Sequence, residues 1–165
     1  LLEEMFTHSD FNPSRLAYVP TNPSEMFVAE TLAEELAFAD RELGLPEGFT
    51  RATLESLLPG DWRHDVVERS EATHPRDLSR GQQTAVAIAL QMSHKPLVLA
   101  LDEPTRGLDA GAKTALAEVL ACVQETGTAI ISASHDDDFV AGGHDRVFRL
   151  AGGTLTTLEG GAVHV

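Results

Sequence analysis

The chain has little cysteine and no long apolar run. Cys122 is the only cysteine among the 165 residues, which excludes an intramolecular disulfide framework. Its neighbours follow helical spacing, so we expect it to be a small buried side chain. No stretch approaches the roughly 20 consecutive apolar residues that a membrane-spanning helix requires. These absences predict a soluble, cytoplasmic protein with one hydrophobic core.

Positive charge is also scarce. The chain has 12 lysines and arginines against 26 aspartates and glutamates, which gives a formal net charge of −14. Such a surface repels nucleic acid phosphates and anionic lipid head groups. We therefore expect no nucleic acid partner. The histidines other than His135 have no spacing suited to a metal site.

The hydrophobic pattern predicts an α/β fold. Apolar runs at 16–19, 97–101 and 128–133 read as strands, the last two covered on both faces of a parallel sheet. A turn at Gly152-Gly153 predicts a C-terminal antiparallel hairpin of 146–150 and 154–158. Ser79, Asp109 and Thr50 are expected to cap helices. Helices are predicted over 27–41, 50–58, 81–93 and from Asp109 to about Thr126, and a short helix after Asp136.

Two carboxylates follow the second predicted strand. Asp102 and Glu103 could be nothing more than the end of a sheet emerging into water. Strand alternation, however, sends neighbouring side chains in opposite directions. One carboxylate can then hold hydrated Mg²⁺ while the other polarises a water. The pair is thus a candidate for phosphoryl transfer.

Two further segments add to this pair. Ser79, Arg80, Gly81 and Gln82 begin a predicted helix, and such a start offers amides and a favourable dipole to a phosphate, although it could be a simple cap. A lone loop histidine such as His135 is more often structural. Its place directly after a second parallel strand favours a functional role.

In this order the segments resemble the ATP-binding-cassette (ABC) ATPases. Leu78-Ser79-Arg80-Gly81-Gln82 is similar to the family signature, 98–102 to the Walker B strand and Glu103 to the catalytic glutamate. Gly107-Leu108-Asp109 resembles the D-loop and His135 the switch histidine. The resemblance implies part of a P-loop NTPase (RecA-like) sheet, with ATP and Mg²⁺ as cofactors, Asp102 as the metal ligand, and Glu103 and His135 as catalytic residues.

The same resemblance implies an organisation and partners. All of 1–165 would be the C-terminal portion of an ABC ATPase domain, with a mostly helical subdomain at 27–77 and the signature, Walker B, D-loop and switch core at 78–165. In this family two ATPase domains share each site, so the signature residues and Asp109 would face the nucleotide of a second ABC domain. A membrane-embedded transporter subunit is the other implied partner. The stretch 22–38 looks most like ATPase subunits of energy-coupling-factor importers.

Three departures leave alternatives open. Thr21 stands where the family has the glutamine that contacts the metal, and Arg80 replaces a signature glycine and is expected to add a cation beside the phosphate. The printed sequence has no Gly-x-x-x-x-Gly-Lys-Ser/Thr segment. We therefore expect these 165 residues alone to bind ATP poorly. One rival hypothesis is a degenerate module that completes a partner's ATP site. A chromosome-maintenance ATPase is a less favoured rival, because such proteins are split by heptad-bearing coiled coils and the linker from Thr21 to Leu78 lacks heptads.

Overall fold

The computed structural model describes residues 16–142 and 144–158. Three parallel strands, β1 (Leu16–Val19), β2 (Val98–Asp102) and β3 (Ala129–Ala133), form a sheet in the order β1-β2-β3. Val19 pairs with Leu101, and Asp102 pairs with Ala133. The carboxyl ends of the three strands therefore lie at one edge, where open parallel sheets bind ligands.

Helices separate the strands along the chain. The α-helices are α1 (Leu32–Leu43), α2 (Phe49–Leu57), α3 (Gly60–Val67), α4 (Arg80–Met92), α5 (Ala110–Glu125) and α6 (Asp137–Ala141). Short 3₁₀ helices occupy Pro23–Met26 and Pro75–Asp77. A separate antiparallel hairpin of β4 (Val147–Ala151) and β5 (Thr154–Leu158) follows α6. Because α1 to α4 lie between the paired strands β1 and β2, the predicted helical insertion in a parallel sheet is confirmed.

Helix α4 forms the centre of the core. It packs against β1, α2 and α5, and most of its side chains are buried. Its start agrees with the prediction, because Ser79 Oγ accepts the Gln82 amide and Gln82 Oε1 accepts the Ser79 amide. This reciprocal capping box fixes the first turn at the position that the sequence indicated.

The predicted helix starts at Phe27 and Thr50 are wrong. Helix α1 begins at Leu32, because Thr31 and Glu34 form a capping box that stops the helix from extending backwards. The buried Glu35 carboxylate accepts the Val28 and Ala29 amides, each at 2.8 Å, and this holds the preceding segment extended.

Thr50 lies within the first turn of α2 and does not cap it. Its amide and hydroxyl both donate to Asp40 Oδ1, at 2.8 and 2.6 Å, while the Gly48 amide donates to Asp40 Oδ2 at 2.8 Å. Gly48, in a left-handed conformation with φ of 82°, is the N-cap residue. The buried Asp40 carboxylate therefore connects α1 to the start of α2.

The two predicted buried strands are covered unequally. In β2 the side chains of Leu99 and Leu101 are buried, whereas Val98 and Ala100 are only partly so. No residue of β3 is fully buried, and Ile131 is 57% exposed. The expectation that both strands are covered on both faces is thus wrong for the part of the sheet that the structure describes. Cys122 is likewise half-buried against the core.

Candidate functional site

The carboxyl ends of the strands bring four of the predicted site residues together. Thr21 follows β1, Asp102 ends β2, Glu103 comes next, and His135 follows β3. The Thr21 hydroxyl donates to Asp102 Oδ2 at 2.5 Å. We call Thr21, Asp102, Glu103 and His135 the strand-end cluster.

Glu103 leaves the strand in an unusual conformation. Its φ is 48°, in the left-handed region that non-glycine residues rarely adopt. Such a backbone costs about 1–3 kcal/mol and tends to occur at functional sites. The Glu103 amide still donates to the Ala133 carbonyl at 2.8 Å, so the residue stays attached to β3. No pattern in the sequence indicates this conformation.

The Glu103 carboxylate contacts His135 twice. Oε2 accepts the His135 amide at 3.3 Å, and Oε1 lies 3.4 Å from His135 Nε2. The Glu103 side chain is 21% exposed, whereas that of His135 is 98% exposed. The imidazole therefore extends from the loop into solvent, with the carboxylate behind it.

The donor set of this cluster suits a hard cation. Asp102 offers carboxylate oxygen and Thr21 a hydroxyl, and Mg²⁺ prefers oxygen ligands, typically one or two carboxylates completed by phosphates and waters. Within the described residues no group of three or more histidine, cysteine, aspartate or glutamate side chains could hold a metal. His8 and His164 lie outside them. The residues fit a magnesium ion shared with a phosphate ligand better than an all-protein metal cage.

The remaining predicted site residues form a second group. A cleft of about 240 Å³ is lined by Trp62, by the start of α4 and by the loop before α5. Ser79, Arg80, Gly81 and Asp109 all line it. Asp109 caps α5, because its Oδ1 accepts the Ala112 amide at 2.8 Å. We call this space the serine cleft.

Trp62, in α3, covers the first turn of α4, and no sequence pattern singled it out. A Cβ atom built on Gly81 would lie 2.7 Å from Trp62 Cη2 and 3.0 Å from Cζ2. These distances are shorter than ordinary carbon contacts. Glycine at this position therefore leaves room for the indole ring to lie against the first turn of α4. The chain contains one tryptophan, which was the only signal that could have drawn attention to it.

Two of the signature side chains form hydrogen bonds within the chain. Gln82 holds the Ser79 amide in the capping box. Arg80 was expected to place its cation beside a phosphate, but its Nη1 donates to Asn22 Oδ1 at 2.8 Å and its Nη2 donates to the Thr21 carbonyl. The guanidinium thus connects the serine cleft to the loop that carries Thr21. At the start of α4 the Arg80 and Gly81 amides have no intrahelical acceptor.

The loop after His135 is also held in place. Asp136 Oδ1 accepts the Phe139 amide at 3.3 Å and caps α6, as the sequence predicts. Asp136 Oδ2 lies 2.6 Å from Lys113 Nζ. The hydrogen bond from Lys113, helped by the nearby Thr105 hydroxyl, lowers the pKa of Asp136 below its ordinary value. Lys113 was not singled out from the sequence.

Comparison with known proteins agrees with this arrangement. The family model described as ABC transporter matches residues 4–106, more than half of the chain. The chain belongs to the ABC transporter family. An ABC transporter ATP-binding protein of Streptomyces avermitilis is 41% identical over 141 residues, which cover 86% of this chain and 24% of the relative. One from Pyrococcus furiosus is 34% identical over 142 residues, or 85% of this chain and 52% of the relative.

Solved structures of ABC proteins share the fold. CbiO1 of Clostridium perfringens, described as part of the ABC transporter complex cbiONQ, superposes with a TM-score of 0.67 at 28% identity, over 87% of this chain and 56% of that one. An ATP-binding subunit of an ABC transporter gives 0.65 at 29% identity, over 88% and 60%. The predicted P-loop NTPase fold is therefore confirmed. The chain spans about a quarter of the length of the Streptomyces relatives. Among the described residues no helix is long and apolar enough to cross a bilayer.

Proposed function

We propose that the complete protein contains an ATP-hydrolysing nucleotide-binding domain of an ABC transporter, which drives transport through membrane-embedded partner subunits. The observation that carries this proposal is the strand-end cluster. The Asp102 carboxylate, which is suited to bind a metal ion, lies with the Glu103 carboxylate and the His135 imidazole at the carboxyl ends of adjacent parallel strands. These are groups that a triphosphate hydrolase needs around its terminal phosphate.

Within this proposal Asp102 and the Thr21 hydroxyl hold Mg²⁺. Bound Mg²⁺ would neutralise charge on the phosphates. Thr21 also fixes the rotamer of Asp102 through their 2.5 Å hydrogen bond. The shorter threonine thereby takes a supporting position at the place where the family has glutamine.

Glu103 acts as the general base in this proposal. Its carboxylate accepts a proton from the attacking water, and its left-handed backbone and its bond to the His135 amide set the direction of the side chain. The exposed imidazole of His135 donates to the terminal phosphate. Because both side chains touch, the carboxylate also limits the positions that the imidazole can adopt.

The serine cleft serves the nucleotide of a second ABC domain. Ser79 is exposed, and the amides of Arg80 and Gly81 begin α4, so the cleft can receive an anion from outside the chain. Gln82 contributes by fixing the turn, and Asp109 fixes the opposite wall.

We further propose a helical subdomain at 27–77 and a core at 78–165. Following CbiO1, the transporter is of the energy-coupling-factor importer type.

Replacing Glu103 with glutamine in the full-length protein tests the proposal. Glu103→Gln keeps size and hydrogen bonding but removes the base, so the protein should retain bound ATP and lose turnover by about 10²-fold or more. Glu118→Gln, at an exposed position of α5, is the matched control and should hydrolyse ATP normally. Undiminished hydrolysis by Glu103→Gln would remove Glu103 from the role of base. Co-purification with a membrane protein tests the transporter assignment.

The hydrogen bond between Thr21 and Asp102 favours a second candidate, a module that completes a partner's ATP site without hydrolysing ATP itself. The Thr21 hydroxyl donates to Asp102 at 2.5 Å and so occupies one lone pair of that carboxylate, and the threonine side chain reaches less far toward a metal than glutamine would. The two candidates differ in a mixing experiment. A full-length protein that is inactive alone, yet restores hydrolysis to a second ABC subunit through Ser79, would support the module.

A further inference from the structure

An ion pair connects the helix after Asp109 to the loop that carries His135. Lys113 Nζ lies 2.6 Å from Asp136 Oδ2, with the two side chains 34% and 17% exposed. Lys113 lies in the first turn of α5, and its amide donates to the Asp109 carbonyl at 3.0 Å. Lys113 therefore contacts Asp109, in the wall of the serine cleft, through its backbone, and the loop that carries His135 through its side chain.

Asp136 is held from several sides. Its amide donates to Ser134 Oγ at 3.1 Å, and its carbonyl accepts the Val140 amide at 2.9 Å. One carboxylate oxygen caps α6 while the other meets Lys113. The backbone on the C-terminal side of His135 is thus fixed by Asp136.

The His135 side chain, in contrast, has little support of its own. The imidazole is 98% exposed, and its one polar contact among the described residues is Glu103 Oε1 at 3.4 Å. An exposed ring keeps its rotamer freedom, but the backbone that carries it determines where the ring can reach. The reach of the imidazole is therefore set by the backbone on either side of it, where Glu103 accepts the His135 amide and Asp136 follows immediately.

We propose that Lys113 and Asp136 are a positioning pair, which fixes the His135 backbone and couples it to the loop of Asp109. The inference rests on the proposed function, because it gives His135 a task at a phosphate. A partner domain that moves the Asp109 loop also moves the first turn of α5. Lys113 carries that movement to Asp136, one residue from the imidazole. Contact with the partner and readiness for hydrolysis are then linked through one ion pair.

Kinetics of the full-length protein test the pair. Lys113→Met and Asp136→Asn should each lower kcat about tenfold, because the imidazole loses its alignment, while KM for ATP changes by less than about twofold. Lys113→Arg keeps the charge and should restore kcat to within about twofold of the native value. Arg51→Met is the matched control, since Arg51 pairs with Glu55 at 3.2 Å in α2 and also donates to Ser70 Oγ and the Val67 carbonyl. None of these residues belongs to the strand-end cluster or the serine cleft, so kcat should be unchanged.

A His135→Ala background separates positioning from general damage. If the pair acts through His135, adding Lys113→Met to His135→Ala should cause no further loss of kcat. Hydrogen exchange without ATP gives an independent reading, because Lys113→Met should speed exchange of the His135 amide about tenfold. An equal fall of kcat in both backgrounds, or an unchanged exchange rate at His135, would overturn the inference. If the native full-length protein hydrolyses no ATP, the proposed function itself fails and the pair loses its catalytic task, whereas the exchange rate at His135 still tests whether Lys113 holds that backbone.

Discussion

Adding one methyl group at Gly81 should bring it against the indole of Trp62. The new Cβ would lie 2.7 and 3.0 Å from two ring carbons, whereas carbon contacts are favourable at roughly 3.5–4.0 Å. Overpacking of this kind costs about 1–3 kcal/mol. Because Trp62 is half-buried, its ring can turn away at an off-rotamer cost of about 0.5–1.5 kcal/mol. Alanine regains about 0.5 kcal/mol of helix propensity. We expect Gly81→Ala to destabilise the full-length protein by about 0.5–1.5 kcal/mol.

A double-mutant cycle measures whether the ring is the cause. In a Trp62→Ala background the methyl group has room, so Gly81→Ala should become neutral or slightly stabilising, with a coupling of about 1–2 kcal/mol. Urea unfolding followed by far-UV circular dichroism gives the free energies without relying on the tryptophan signal. Gly60→Ala is the control, because its Cβ would meet nothing within 4 Å. Additive effects of the two substitutions, within about 0.5 kcal/mol, would refute the assigned contact.

Three further predictions concern carboxylates. Asp40→Asn replaces the oxygen that accepts the Gly48 amide with a donor, so urea unfolding should show a loss of about 2–4 kcal/mol. Thr21→Val removes the hydroxyl that donates to Asp102, so it should raise the Mg²⁺ concentration for half-maximal hydrolysis about tenfold. Thr21→Ser keeps the hydroxyl and should leave that concentration unchanged. The pKa of Asp136 is lowered in the folded protein, so its carboxylate stabilises the fold at neutral pH and loses this effect as pH falls below about 4. The stability difference between native protein and Asp136→Asn should therefore shrink in acid.

Local signals explain the parts of the fold that could be predicted. Ser79 with Gln82, Asp109 and the glycine pair at 152–153 each determine a boundary through contacts within a few residues, and the structure has the corresponding elements there. Where local signals compete, prediction failed. Thr31 with Glu34 outweighed the helical pattern that begins at Phe27.

Tertiary contacts explain what could not be predicted. Helix α3 has a weakly amphipathic sequence, so neither its existence nor the position of Trp62 over Gly81 could be read from spacing. The left-handed φ of Glu103 occurs where the residue is held to β3 by Ala133, 30 residues further along the chain, and no local pattern indicates it. The sequence indicated which residues could form the strand-end cluster, because parallel strands align their carboxyl ends. It could not indicate how those side chains are paired.

Arg80 shows why the two halves of the site depend on each other within one chain. A signature glycine would lack the side-chain link from the start of α4 to the loop after β1, whereas the Arg80 guanidinium reaches the Thr21 carbonyl and the Asn22 side chain. Thr21 in turn donates to Asp102. A ligand that binds in the serine cleft and shifts the first turn of α4 therefore acts on Thr21, which supports the Asp102 carboxylate. Together with Lys113 and Asp136 on the opposite side, this gives the cleft two routes to the strand-end cluster, one toward Asp102 and one toward His135.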